Sequence, residues 1–178
     1  VQRERARELQ VALAASRKHE VEHARVMPMP LSLFLWRSVY RAGGRMHADT
    51  LRLAPLRRPT WRSGGQLLVD RPILRVPAGA EHANKRELLA LYDDFADSLT
   101  GRVPGRARVI GDMRFVAGFG FEALWGLKPG VRADASDLRF VSAWPASAPP
   151  RSKLLRSLVD VIVSGGDFED FPVELLAR

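Results

Sequence analysis

The 178 residues predict an α+β fold with a mainly antiparallel sheet, two packed helices and an N-terminal connector helix. Two observations carry that reading. Runs rich in aromatic and β-branched residues follow one another as sequential hairpins, and the helix-period segments stand apart from them. No internal repeat is visible, and a chain of this length normally forms one core.

The elements follow in order. Residues 2 to 18 are rich in helix formers and place Ala6, Leu9 and Leu13 on a narrow apolar stripe among arginines, which predicts an exposed connector helix. The "MPMP" at 27 to 30 cannot continue a helix, because proline lacks a donor and restricts its predecessor, so the helix has ended by Val26. "LSLFLWRSVYRAGGRMHADTLRL" predicts a β-hairpin turning at Ala42-Gly43-Gly44. Its first strand carries Phe34, Trp36, Ser38 and Tyr40 on one face and Leu33, Leu35, Arg37 and Val39 on the other. Residues 54 to 65, "APLRRPTWRSGG", read as a basic loop before short strands at "QLLVD" and "ILRV". A helix is predicted over 85 to 99, with Asn84 and Glu87 as a capping box, an apolar stripe of Leu88, Leu91, Tyr92, Phe95 and Leu99, and Gly101 as its stop. Strands are predicted at "RVIGDMRFV", "ALWGL" and "LRFVSAW", then an amphipathic helix from about Ser152 to Val163. Phe168, Phe171, Val173 and Leu175 make the tail apolar enough to dock on the body or on a partner.

Composition narrows the function. The absence of cysteine removes disulfides, thiolate metal sites and cysteine nucleophiles. A net charge of +8 favours an acidic partner, either nucleic acid or an anionic membrane surface. All but four of the 28 basic residues are arginine, a ratio that GC-rich coding produces as readily as phosphate recognition. No apolar window is long enough to span a bilayer, and the first residues lack the apolar core of a signal peptide. The chain does not begin with methionine, so it is expected to be part of a longer protein.

One catalytic pattern is present. "HEVEH" at 19 to 23 matches H-E-x-x-H, in which two histidines a helical turn apart bind zinc and the glutamate activates water. Pro28 follows His23 too closely for a long helix, Glu22 adds a carboxylate where such helices are apolar, and Pro30 stands where a third histidine would complete the extended motif. His19, Glu20 and His23 are therefore read as a solvated helix end. His47 and His82 have no ligand spacing, no serine lies in a G-x-S-x-G elbow, and there is no glycine-rich phosphate loop. No self-contained catalytic residues are expected.

"RVMPMPLSLFLWRSVYRAGGRMHADTLRL", "LLALYDDFADSL", "RVIGDMRF" and "ALWGL", in this order, resemble the C-terminal region of bacterial inner-membrane proteins of the membrane-bound metal-dependent hydrolase family, the LexA-regulated inner-membrane hydrolase type. The resemblance covers about residues 17 to 144. It implies that metal ligands, and any divalent metal, lie in a membrane-spanning part preceding this chain, which itself holds no cofactor. It also makes residues 1–20 a juxtamembrane connector helix and 21–178 a single α+β domain. Arg3, Arg5, Arg7 and Arg17 then form a basic segment on the cytoplasmic face of the inner membrane, facing anionic lipid.

The residues of interest are few. Arg37, Asp112 and Arg114 are candidates for a polar cleft, since Asp112 and Arg114 share a strand face, where a structural ion pair is the plainer reading. Trp36 and Trp125 are the aromatic candidates, and Gly111 and Gly126 mark bulges or close backbone approaches. Arg57, Arg58 and Arg62 around Trp61 join Arg3, Arg5 and Arg7 as an anionic-surface set. The leading expectation is an accessory domain of a membrane-bound hydrolase, partnered by the membrane part of its own polypeptide and by anionic lipid. An arginine-rich nucleic-acid module is the alternative, and a zinc hydrolase using His19, Glu20 and His23 is third.

Overall fold

The computed structural model describes residues 1–30, 32–69, 76, 79–106, 108–116, 119–130, 138–142, 156, 159–160 and 168–170. Among these, two α-helices and two antiparallel sheets make an α+β fold, as the sequence predicts. The chain divides into two compact units, residues 1–66 with 149–178, and residues 67–148. The segment expected as a connector, 1–20, belongs to the first unit.

In the first unit α1 (Gln2–Ser16) lies on a sheet ordered β1-β2-β3-β4-β9. Strands β2 (Leu35–Ala42) and β3 (Arg45–Arg52) form the predicted hairpin, and the turn is the pair Gly43-Gly44, with φ of +55° and +70°. Left-handed values at both central positions define a tight turn whose twist matches the strands, which is why two glycines stand there. The pairing runs Trp36 to Leu51, Ser38 to Asp49 and Tyr40 to His47. These three pairs face α1. The helix sets Ala6, Leu9 and Leu13 against Val26, Trp36, Leu51 and Leu53, so its stripe is core rather than exposed. Burying these side chains contributes roughly 1.5–3 kcal/mol for each large one. Gln10, also buried, fixes the helix at one position along the sheet: its Nε2 donates to Ser38 Oγ and the Arg25 carbonyl at 2.9 Å and to the Val39 carbonyl at 3.2 Å.

Strand β1 (His23–Pro28) pairs with β2 and forms the sheet's edge. Pro28 is tolerated there because an edge strand does not need every donor. The loop predicted over 54 to 65 ends earlier, at Pro59: β4 (Thr60–Leu68) runs through Ser63-Gly64-Gly65. Thr60 and Trp61 are strand formers, and they pair with β9 (Glu169–Asp170), which places this part of the tail on the sheet. Of the other calls on the C-terminal region, the helix over 152 to 163 and residues 171 to 178 lie largely or wholly outside the described residues.

In the second unit α2 (Ala83–Phe95) precedes a sheet of β5 (Thr100–Arg102), β6 (Ile110–Asp112), β7 (Trp125–Lys128) and β8 (Arg139–Ser142), in that order. Three of these strands are at the predicted places; Gly101, predicted to stop the helix, is instead inside β5. The helix stops earlier because Asp97 and Ser98 adopt φ of +58° and +54°, and the Ser98 and Asp97 amides bond back to the Asp93 and Asp94 carbonyls. Its start has no side-chain cap, so the predicted Asn84–Glu87 box does not form. The buried ridge is Lys85, Leu89, Tyr92 and Ala96, whereas Leu88, Leu91 and Phe95 of the predicted stripe are exposed. Spacing of three and four residues fits either ridge, and the buried one is chosen by Leu89 and Tyr92 packing on Ile110. No described helix is long and apolar enough to cross a membrane.

Candidate functional site

The C-terminal end of α1 builds a polar cluster against the hairpin. Lys18 takes φ +57°, with its amide bonded to the Ala15 carbonyl and that of His19 to the Ala14 carbonyl, a helix-ending motif usually built on glycine. The reversal leaves Arg17 and His19 directed at the sheet. Arg17 grips Asp49 through two bonds of 2.8 Å and donates to Tyr40 Oη at 2.9 Å, and its guanidinium lies 4.9 Å from the centre of the Trp61 ring. Trp61 is thus part of the packed face, not of an exposed loop. Burial of Arg17 acts to lower its pKa, but the bonds and charge of Asp49 outweigh that and hold it raised. Burial also raises the Tyr40 phenol, with the Asp49 charge adding to it and Arg17 opposing.

His19 Nδ1 is 2.9 Å from Tyr40 Oη. Since a guanidinium only donates, Tyr40 Oη accepts from Arg17, while the donor in the His19–Tyr40 bond is set by the imidazole tautomer. His47 stacks on Tyr40 at 5.0 Å and lies 4.3 Å from His19. Desolvation foremost, then His19 and Arg17, lower the His47 pKa below 6.5, against the smaller pull of Asp49 and a backbone bond.

A lowered folded-state pKa means that the unfolded chain takes up the proton first. The stability contributed by neutral His47 is therefore complete above about pH 6.5 and is lost as pH falls through the lower folded value. Urea midpoints at pH 7.5 and 5.5 should show the wild type weaker at 5.5. His47→Phe, which keeps a stacked ring without a titrating group, should show a smaller difference; an equal difference would assign the pH dependence elsewhere.

Beside this cluster α1 and the segment 56 to 59 enclose an open groove of about 1030 Å³. It is lined by Arg5, Arg7, Val11 and Ala12 of the helix, by Leu56, Arg57, Arg58 and Pro59 opposite, and by Glu4 and Glu8. Four of the six arginines in the anionic-surface set therefore share one feature, although some fifty residues separate the two pairs. Among the described residues none of these four guanidiniums is in an ion pair. Arg3 and Arg62 do not line the groove.

The other candidates fall elsewhere. H-E-x-x-H needs one continuous helical turn, but α1 ends at Ser16 and His23 begins β1, so His19 and His23 do not share a helix face. Among the described residues no three His, Asp or Glu side chains are placed to hold a metal ion. Trp36 is core under α1, and Arg37, on the opposite face of β2, is only 2% exposed, which excludes a solvated role. In the second unit Asp112 is fully buried and Arg114 clasps it with Nε at 2.9 Å and Nη2 at 2.7 Å, while the Arg114 amide also donates to it. This is the plainer ion-pair reading, and Arg37 belongs to the other unit. The neighbouring Tyr92 phenol is pushed up by burial and then by the Asp112 charge. Trp125 lies 5.0 Å from Phe115.

Sequence reasoning missed Tyr40, His47 and Asp49 as a group, and Leu56 altogether. The signal for the first three was the two-residue glycine turn: once it fixes the register, Tyr40 must lie opposite His47 and Ser38 opposite Asp49. Comparison with family models, with curated proteins and with solved structures found no match to this chain.

Proposed function

We propose that this chain is an accessory body without a reaction centre of its own, which meets the anionic surface of a membrane through α1 and the segment 56 to 59. In this reading it serves a membrane-embedded neighbour of the metal-dependent hydrolase type that the sequence resembles, on the cytoplasmic face of a bacterial inner membrane. Any divalent metal and the chemistry belong to that neighbour; the accessory body acts in assembly, regulation or substrate positioning. The observation that supports it is the convergence of Arg5 and Arg7 with Arg57 and Arg58 on one open groove. Guanidiniums without carboxylate partners remain available for phosphate, which they bind in a planar two-bond geometry.

Each arginine near an anionic surface adds up to about 1 kcal/mol of attraction. Sedimentation with phosphatidylglycerol-containing vesicles should show the Arg5→Ala/Arg7→Ala and Arg57→Ala/Arg58→Ala variants each binding on the order of tenfold more weakly than the wild type. Neutral phosphatidylcholine vesicles should bind little, and added salt should weaken the anionic case. Unchanged binding by both variants would reject the groove as the contact, and tighter, salt-steep binding to short DNA duplexes would favour the nucleic-acid reading instead.

A further inference from the structure

We infer that Leu56 is an apolar wedge that enters the acyl layer of an anionic bilayer while the surrounding arginines hold its headgroup phosphates. This rests on the membrane reading above and adds to it a depth and a residue. Leu56 is fully exposed, at 107% of its reference area, so among the described residues it packs on nothing. Its φ of +57° is a left-handed value that a leucine rarely adopts. Neither core burial nor easy turn geometry accounts for a leucine at this position; glycine or asparagine would suit the turn better. The neighbouring residues hold the tip in place: Leu53 before it and Pro59 after it are both buried, whereas Pro55, Leu56, Arg57 and Arg58 are exposed.

The surroundings select the partner. Across the groove α1 presents Val11, 59% exposed, with Arg5 and Arg7. An aliphatic tip ringed by guanidiniums on flexible stems matches the boundary of a bilayer, where hydrocarbon lies below a plane of phosphates and arginine stems reach up to it. A nucleic-acid duplex admits an aliphatic side chain only by unstacking a base step, at a cost of about a few kcal/mol, whereas hydrocarbon takes up a leucine without that cost. Glu4 and Glu8 on the groove wall limit the approach of phosphates on that side, so the Leu56–Arg58 tip is the leading edge.

The chain has no cysteine, so Leu56→Cys gives a single labelling site. An environment-sensitive fluorophore there should shift to the blue on phosphatidylglycerol-containing vesicles and be quenched by spin labels on the acyl chains. Leu56→Ser, which disturbs no packing, should bind these vesicles about tenfold more weakly, in keeping with withdrawal of one leucine from hydrocarbon. If the vesicles bind, the label stays aqueous and Leu56→Ser binds as well as the wild type, the wedge is overturned while the arginine contact stands. If no vesicle binds, or if DNA duplexes bind and shield the label, both are overturned.

Discussion

Gly126→Ala should lower stability by about 3 kcal/mol, the upper end of what overpacking costs. In β7, Gly126 lies opposite Gly111 of β6, and the next pair is Leu127 with Ile110. A Cβ at Gly126 would stand 2.3 Å from the Ile110 carbonyl oxygen and 2.9 Å from its carbon. Both are backbone atoms at the place where the strands pair, so they can withdraw only if that pairing opens. The β5-β6-β7-β8 sheet would loosen at its centre, because β6 and β7 are its two inner strands. Gly111→Ala provides a graded comparison: its Cβ would meet side chains, Ala123 at 2.5 Å and Val103 at 2.8 Å, and some of that crowding can be relieved by rotation or small shifts. Urea unfolding of both variants checks the order. A loss under about 1 kcal/mol for Gly126→Ala would contradict the close approach of the two strands.

Asp49→Ala should cost about 2–4 kcal/mol, toward the range for removing one partner of a buried ion pair. Asp49 is 1% exposed and takes two bonds from Arg17, whose own side chain is 24% exposed. The stranded guanidinium keeps some access to water, which holds the loss below the full value for a buried charge. Tyr40 and Trp61 still touch it, so the arginine cannot leave without giving up further contacts. Replacing both partners with apolar residues, Arg17→Met with Asp49→Leu, should cost less than Asp49→Ala alone, because no uncompensated charge remains. Thermal unfolding of the two variants measures the difference, and a double variant as damaged as the single one would mean that packing, not charge, governs the site. Since Asp49 holds Arg17 at the C-terminal end of α1, Asp49→Ala should also make that helix end more open to protease.

The hairpin was legible because strand alternation and a glycine pair agree on one register. The close approaches at Gly111 and Gly126 were legible for a related reason: glycine inside an otherwise strand-like run has few other uses. The face of α2 was not. Lys85 occupies the buried ridge, its ammonium reaching the Gly130 carbonyl at 3.1 Å, and a lysine does not announce itself as core. The end of α1 was not legible either, for a different reason. Helix formers continue past Ser16, yet Lys18 turns left-handed and ends α1, an outcome decided by the contacts that Arg17 and His19 make with the sheet. Local propensity cannot see those contacts, and a groove built from two distant arginine pairs is invisible to it as well.

Proline at the rim of the first sheet has a consequence of its own. Beta sheets invite their own copies to extend them, strand by strand, wherever an open margin offers a full row of amide hydrogens. Here Pro28 interrupts that row at one margin, and the other ends in a two-residue strand of exposed acids, Glu169 and Asp170, which repel the same pair on an approaching molecule. Molecules at high local density can thus remain separate instead of joining into fibres.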